Sequence, residues 1–320
     1  MVSTRRRFLR RLGGLGGVLT SGVLGGCAEA GIGEQPVPRV RVGSKPFPEQ
    51  QILSYLAFER LTTIDGVQII NEIGYGSSEE NWEATATGAK DLYWEYTGTA
   101  WSRLPPRHDQ RVTDPQRLYD LVESDARTQN VRMAQPASFS NEYVLVADRE
   151  WSDRTGVTTL EEFAMYVADE STAVGIAVNE DFYHRRDGWN GVTAYYGLTA
   201  EQQRALERGT FIVTSVGLTY ELLDSGRIQV ASGFATDPQL SRDSLVTLTD
   251  DREYFLPYQP APTAHAPTVA DQPAIFEVLE PVVSTLDAAT MRRLNRRVIL
   301  EDQSPRTVAK SYLRRLGDNR

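Results

Sequence analysis

Residues 39–63, RVRVGSKPFPEQQILSYLAFERLTT, decide the fold class. Arg39–Gly43 alternates charged and branched residues and reads as a strand. From Pro48 to Thr63 the apolar residues Ile52, Leu53, Leu56, Ala57 and Leu61 fall on one helical face. Pro48 suits the first turn, where its missing N–H costs nothing. A strand followed at once by a helix is the unit of an α/β fold, and the pattern continues. Strands are predicted at Val67–Ile73, Lys90–Glu95, Tyr143–Ala147, Ala173–Val178, Phe211–Val213, Ile228–Ala231 and Leu245–Leu248. Helical patterns lie between them, including Ser78–Thr87, with Ser78 as the expected cap, and Pro115–Gln129. The tail, Ala274 to Leu316, shows three helical patterns and no strand. This alternation predicts mainly parallel sheets. The expected organisation is two similar lobes with a hinge and a ligand cleft between them: 39–141 plus 251–320 as the first lobe and 142–250 as the second. Extended stretches rich in Pro, Ser and aromatics, Pro136–Tyr143 and Asp250–Pro262, are the predicted chain crossings.

The N-terminus reads differently. Five arginines lie in the first 11 residues, ahead of a weakly apolar stretch, Leu12 to Gly26, too short to span a bilayer. Thr4-Arg5-Arg6-Arg7-Phe8-Leu9-Arg10 resembles the twin-arginine export signal, and Leu24-Gly25-Gly26-Cys27 resembles a lipobox. Residues 1–26 are therefore expected to be an export signal. Cys27, the only cysteine, is the expected lipidation site, and 27–38 reads as a tether to the outer face of the cell membrane.

Charge and composition narrow the function. Beyond residue 26 the chain carries 29 basic and 43 acidic residues, a net of −14, which disfavours nucleic acid as a partner. Only three lysines stand against 31 arginines; an acidic, lysine-poor chain is expected of a protein living in strong brine, with arginine-favouring codons of a high-GC genome as the alternative. One cysteine excludes a disulfide framework, and three dispersed histidines argue against a metal centre. No G-x-S-x-G elbow, phosphate loop or H-E-x-x-H occurs, so neither an enzyme nor a cofactor is expected.

Five stretches carry chemistry. Gly43–Gln50 is a strand-to-helix turn of the kind that opens onto a ligand crevice, and it holds one of the three lysines, Lys45. Asp91–Thr99 packs three aromatics into four residues and offers Tyr96 and Thr99 at a strand end. Phe139–Tyr143 lies at a predicted crossing and contains Asn141 and Tyr143. Phe182–Gly191 is a polar loop with His184, Arg185 and Trp189. Gly217–Glu221 places Tyr220 at a helix start. Several tyrosines at strand ends suggest an aromatic box.

Taken in order, GSKPFPEQ, YWEYTGT, SNEY, RRDGWNG, GLTYELL, FATD (Phe234–Asp237) and FLPYQPAP resemble the osmoprotectant-binding subunits of ABC importers. These are the glycine betaine, choline and carnitine binders of the OpuC/ProX type; a haloarchaeal source is expected. The resemblance runs from about Arg39 to Leu316. It implies a type II periplasmic-binding-protein fold, a monomer, and a cage of aromatics around a quaternary ammonium. That group has charge but no N–H, so ring faces rather than hydrogen bonds must hold it. Matched motif by motif, the resemblance implies Lys45, Tyr96, Thr99, Asn141, Tyr143, Arg185 and Tyr220 as ligand-binding residues. A fourth ring stays open among Trp189, Tyr196 and Tyr258. Its implied partners are an ABC permease with a cytoplasmic ATPase, and glycine betaine is the expected ligand. An amino acid or a sulfonate in the same fold is the alternative.

Overall fold

The computed structural model describes residues 37–169 and 174–318; the export-signal reading, Cys27 and nearly all of the expected tether lie outside the described residues. The first helix, Pro48–Leu61, begins with Pro48 in its first turn and buries Ile52, Leu53, Leu56, Ala57 and Leu61 completely. Each fully buried Leu or Ile contributes roughly 1.5–3 kcal/mol. Val308 and Ala309 of the last helix, Pro305–Asp318, belong to the same apolar cluster.

Among the described residues, ten strands form two five-stranded sheets. They are β1 (Arg39–Gly43), β2 (Gln68–Glu72), β3 (Leu92–Tyr96), β4 (Val131–Met133), β5 (Tyr143–Asp148), β6 (Ile176–Asn179), β7 (Phe211–Thr214), β8 (Val230–Phe234), β9 (Leu245–Thr247) and β10 (Pro260–His265). The first sheet has the order β2-β1-β3-β10-β4 and the second β7-β6-β8-β5-β9.

The sheets are mixed, and this corrects the expectation of mainly parallel ones. Neighbours of β1 and of β6 run parallel, whereas β10 is antiparallel to β3 and β4, and β5 to β8 and β9. The chain path explains the difference. Strands β1, β3, β6 and β8 end at the cleft. Strands β5 and β10 each follow a crossing, so they start at the cleft and must run away from it. The crossings lie side by side: the Asn141 N–H donates to the Tyr258 carbonyl at 3.0 Å, and the Tyr258 N–H donates to Ser140 Oγ at 2.9 Å.

The tail forms four helices rather than three, Ala274–Glu277, Glu280–Val283, Ala288–Ile299 and Pro305–Asp318. The cap of the helix Ser78–Ala86 is Ser77, one residue earlier than expected, in a reciprocal box with Glu80. Among the described residues no helix is long and apolar enough to cross a membrane, and no group of three His, Cys, Asp or Glu is placed to hold a metal ion.

Candidate functional site

A cavity of about 500 Å³ opens where the strands of both sheets end. Each end contributes a side chain. The turn after β1 supplies Lys45 and Phe47, the end of β3 supplies Tyr96, and the following helix Thr97–Arg103 supplies Thr99 and Arg103. The second sheet supplies Tyr143 from the start of β5, Asp181 and Arg185 after β6, and Phe234 from the end of β8. The crossings add Asn141 and Tyr258, and the helix Ala288–Ile299 adds Asn295.

The rings form walls. Tyr143 lies 4.7 Å from Phe234 and 4.8 Å from Phe182, centroid to centroid. Its hydroxyl donates to Asp181 at 2.6 Å, which fixes the ring's orientation. Tyr258 donates to Asp187 at 3.0 Å and accepts from Arg185 at 2.8 Å. The Lys45 ammonium sits 4.5 Å from the Tyr96 centroid and covers one face of that ring. Gly98 lets the second crossing close over the site. A Cβ there would stand 2.9 Å from the Pro257 carbonyl oxygen and 3.0 Å from the Tyr258 ring.

Every cation in the cavity wall already has an anion. Lys45 donates to Glu95 at 2.6 Å and to Ser78 at 3.1 Å. Burial lowers its pKa, and Glu95 only partly offsets that effect. Arg185 makes a two-pronged contact with Asp187 at 2.6 and 2.8 Å. Burial opposes its charge, but Tyr258 and Asp187 outweigh burial and hold its pKa above the usual value. Asp187 is held below the usual carboxylate range because the Arg185 contacts outweigh its own burial. Arg103 pairs with Glu79 at 3.0 Å and approaches Asp181 at 3.8 Å.

Two carboxylates in the wall are different. Glu49 accepts from the Tyr96 hydroxyl at 2.8 Å and from the amides of Asn141 and Asn295 at 2.9 Å each. Burial pushes its pKa up against those hydrogen bonds. Asp237 accepts from Tyr220 and from the Phe234 N–H, both at 2.8 Å, and burial pushes it to about 6.

Six of the seven ligand-binding residues expected from sequence line this one cavity: Lys45, Tyr96, Thr99, Asn141, Tyr143 and Arg185. Tyr220 does not. It is buried behind the wall, where its hydroxyl holds Asp237 and presses on Gly233, so it positions a wall residue and presents no ring face. Of the three rings left open, Tyr258 lines the cavity. Trp189 is a core residue packed against Phe163 and Phe211. Tyr196 donates its hydroxyl to Asp250 at 2.5 Å and lies outside the cavity. Glu49, Phe234, Asp237 and Asn295 also line the wall but are not among the residues expected from sequence, although the first three lie inside the motifs GSKPFPEQ and FATD.

A family model described as the substrate-binding domain of the ABC-type glycine betaine transport system (OpuAC) matches residues 38–315. The chain is 29% identical over 280 residues to the glycine-betaine-binding protein of Pseudomonas aeruginosa, covering 86% of this chain and 87% of that one. It is 28% identical over 262 residues to CosB of Halobacterium salinarum, the substrate-binding protein of a chemotactic signal transduction system, covering 80% and 78%. Among solved structures, that of a glycine betaine/carnitine/choline ABC transporter protein superposes with a TM-score of 0.71 at 20% identity, covering 86% of this chain and 98% of that one. Apo YehZ of Escherichia coli gives 0.67 at 24% identity, covering 87% and 99%. Both share the two-lobe substrate-binding-protein fold.

Proposed function

The chain belongs to the family of substrate-binding domains of ABC-type glycine betaine transport systems, and from that premise we propose that it captures a quaternary-ammonium compatible solute, glycine betaine foremost, in its aromatic-walled cavity and delivers it to a permease. It is a substrate-binding component of an importer and not an enzyme. The single observation that carries the ligand reading is the set of rings of Tyr96, Tyr143, Phe234 and Tyr258 converging on one cavity. A trimethylammonium has no hydrogen to donate, and ring faces attract it by roughly 0.5–2 kcal/mol each. Arg185 and the hydroxyl of Thr99 line the same cavity; Arg185 holds Asp187 through Nε and Nη2 but leaves Nη1, 3.8 Å from Asp181, without a hydrogen bond among the described residues, so it can still donate to the ligand's carboxylate. Lys45, committed to Glu95, supports the wall rather than offering a free charge. Outside the cell membrane, anchored through Cys27 and exported by the twin-arginine route, the protein meets its ligand before the permease does.

Calorimetric titration in molar salt with glycine betaine and with glycine tests the reading. Glycine is the same zwitterion with N–H donors in place of methyl groups. Saturable binding of glycine betaine, with glycine at least about 30-fold weaker, is the expected result, equal to loss of about 2 kcal/mol of ring attraction. Equal affinity for both, or glycine alone, would assign the cavity to amino acids.

A further inference from the structure

The cavity's charges are unevenly compensated. Lys45, Arg103 and Arg185 are matched by Glu95, Glu79 and Asp187. Glu49 and Asp237 have no basic partner among the described residues; the groups that face Glu49 are Thr236, Tyr96, Asn141, Asn295 and, through space, Asp237. Those that face Asp237 are Tyr220, the Phe234 N–H and Glu49, with Arg242 near Tyr220 beyond it. Glu49 is 3% exposed and Asp237 8%, so water screens neither well. Asn295, 3% exposed and in the same wall, leaves its buried Oδ1 without a hydrogen-bond partner. Among Glu49, Asp237 and Asn295, every uncompensated polar atom is thus an acceptor or an anion.

A buried carboxylate without a counter-ion is costly to keep charged. A cation entering the cavity supplies the missing counter-ion and gains in return an attraction that low dielectric strengthens. We infer that Glu49 and Asp237 form an anionic seat for the ligand's ammonium, so that the site selects positive charge at that end and not methylated bulk alone. This rests on the quaternary-ammonium reading and adds its charge-selecting residues. The arrangement also gives the cavity a direction. The acidic group and the Arg103–Arg185 group share no hydrogen-bond partner, so a zwitterion enters with its ammonium toward Glu49 and Asp237 and its carboxylate toward Arg185.

The seat makes binding depend on pH in a defined sense. A carboxylate protonates as pH falls, and only its ionised form attracts the ligand. With Asp237 at about 6, its ionised fraction rises about tenfold between about pH 5 and about pH 7, and apparent affinity follows it.

The test is calorimetric titration of the full chain with choline and with its uncharged isostere, in which carbon replaces nitrogen. Glu49→Gln and Asp237→Asn, which keep shape and most hydrogen bonds, are titrated beside it. The expected result is choline bound at least about 100-fold more tightly than the isostere. Each variant should weaken choline about tenfold and leave the isostere unaffected. The unmutated protein should gain about tenfold in choline affinity from about pH 5 to about pH 7, a readout that needs no variant to fold. Choline bound equally by the wild type and both variants, with a flat pH profile, would overturn the seat while leaving the cage reading in place. No binding of any quaternary ammonium by the wild type would overturn the cage reading, and the seat with it.

Discussion

Tyr143 offers the sharpest separation of ring from hydroxyl. It lines the cavity at 5% exposure, flanked by Phe182 and Phe234, with its hydroxyl on Asp181 at 2.6 Å. Tyr143→Phe removes only the hydroxyl. The ring stays held between its two aromatic neighbours, and Asp181 keeps its approach to Arg185 at 3.8 Å. Tyr143→Ala removes the wall itself. A desolvated ring face contributes about 2 kcal/mol to a quaternary ammonium, so the Ala variant should bind glycine betaine about 30-fold more weakly. The Phe variant should stay within about threefold of the wild type. Truncating a buried aromatic also costs about 3–5 kcal/mol of stability. Thermal melts of both variants should therefore accompany the titrations, and affinity should be read at a temperature where each is folded. A folded Ala variant that binds within about twofold of the wild type would remove Tyr143 from the cage. A Phe variant that loses as much as Ala would shift recognition to the hydroxyl and Asp181.

Other expectations follow from the same geometry. Arg185→Gln should weaken glycine betaine about 10- to 100-fold, the value of a charge-assisted hydrogen bond, and choline far less; titration of both ligands checks it, and equal losses would make Arg185 purely structural. Gly98→Ala puts a Cβ 3.0 Å from the Tyr258 ring and 2.9 Å from the Pro257 carbonyl, so the ring and crossing must shift. Titration and melting should show weaker binding and a loss of about 1–3 kcal/mol of stability, whereas unchanged values would show that the crossing yields freely. With 29 basic and 43 acidic residues beyond residue 26, the melting temperature should rise as salt shortens the Debye length from about 30 Å to about 3 Å; a flat profile would count against a brine-adapted surface. Cys27→Ser should release the protein from membranes in a fractionation experiment, and continued retention would contradict lipid anchoring.

The strand–helix pattern was legible because most elements are local. Arg39–Gly43 is a strand with the bounds expected, and Pro48–Leu61 buries the face read from its spacing. β10 was illegible because its sequence, PAPTAH, has prolines at 260 and 262, which read as a turn. The carbonyls of Pro260 and Pro262 accept from Ala137 of the first crossing and from Ala134 just before it. In an antiparallel strand a residue's N–H and carbonyl share a side, so the missing N–H groups face the crossing and the pairing with β3 loses no bond. The site divides the same way. Tyr96, Thr99, Asn141 and Tyr143 stand at strand ends and crossings, where pattern alone directs attention. Glu49 does not announce itself, because its partners Tyr96, Asn141 and Asn295 lie 47, 92 and 246 residues away. The pairing of Lys45 is hidden for the same reason, since Glu95, its counter-ion, lies 50 residues on. Trp189 and Tyr196 carried the right ring chemistry, but which way a ring faces is decided by tertiary packing.

Where the ligand sits is tested most directly by the crystal structure of the protein with glycine betaine. The expected result is the ligand nitrogen within about 6 Å of the ring centroids of Tyr96, Tyr143, Phe234 and Tyr258, and the carboxylate on Arg185. A ligand seated elsewhere would contradict it, above all in the adjoining cavity of about 530 Å³ lined by His108, Arg111, His184 and Tyr254.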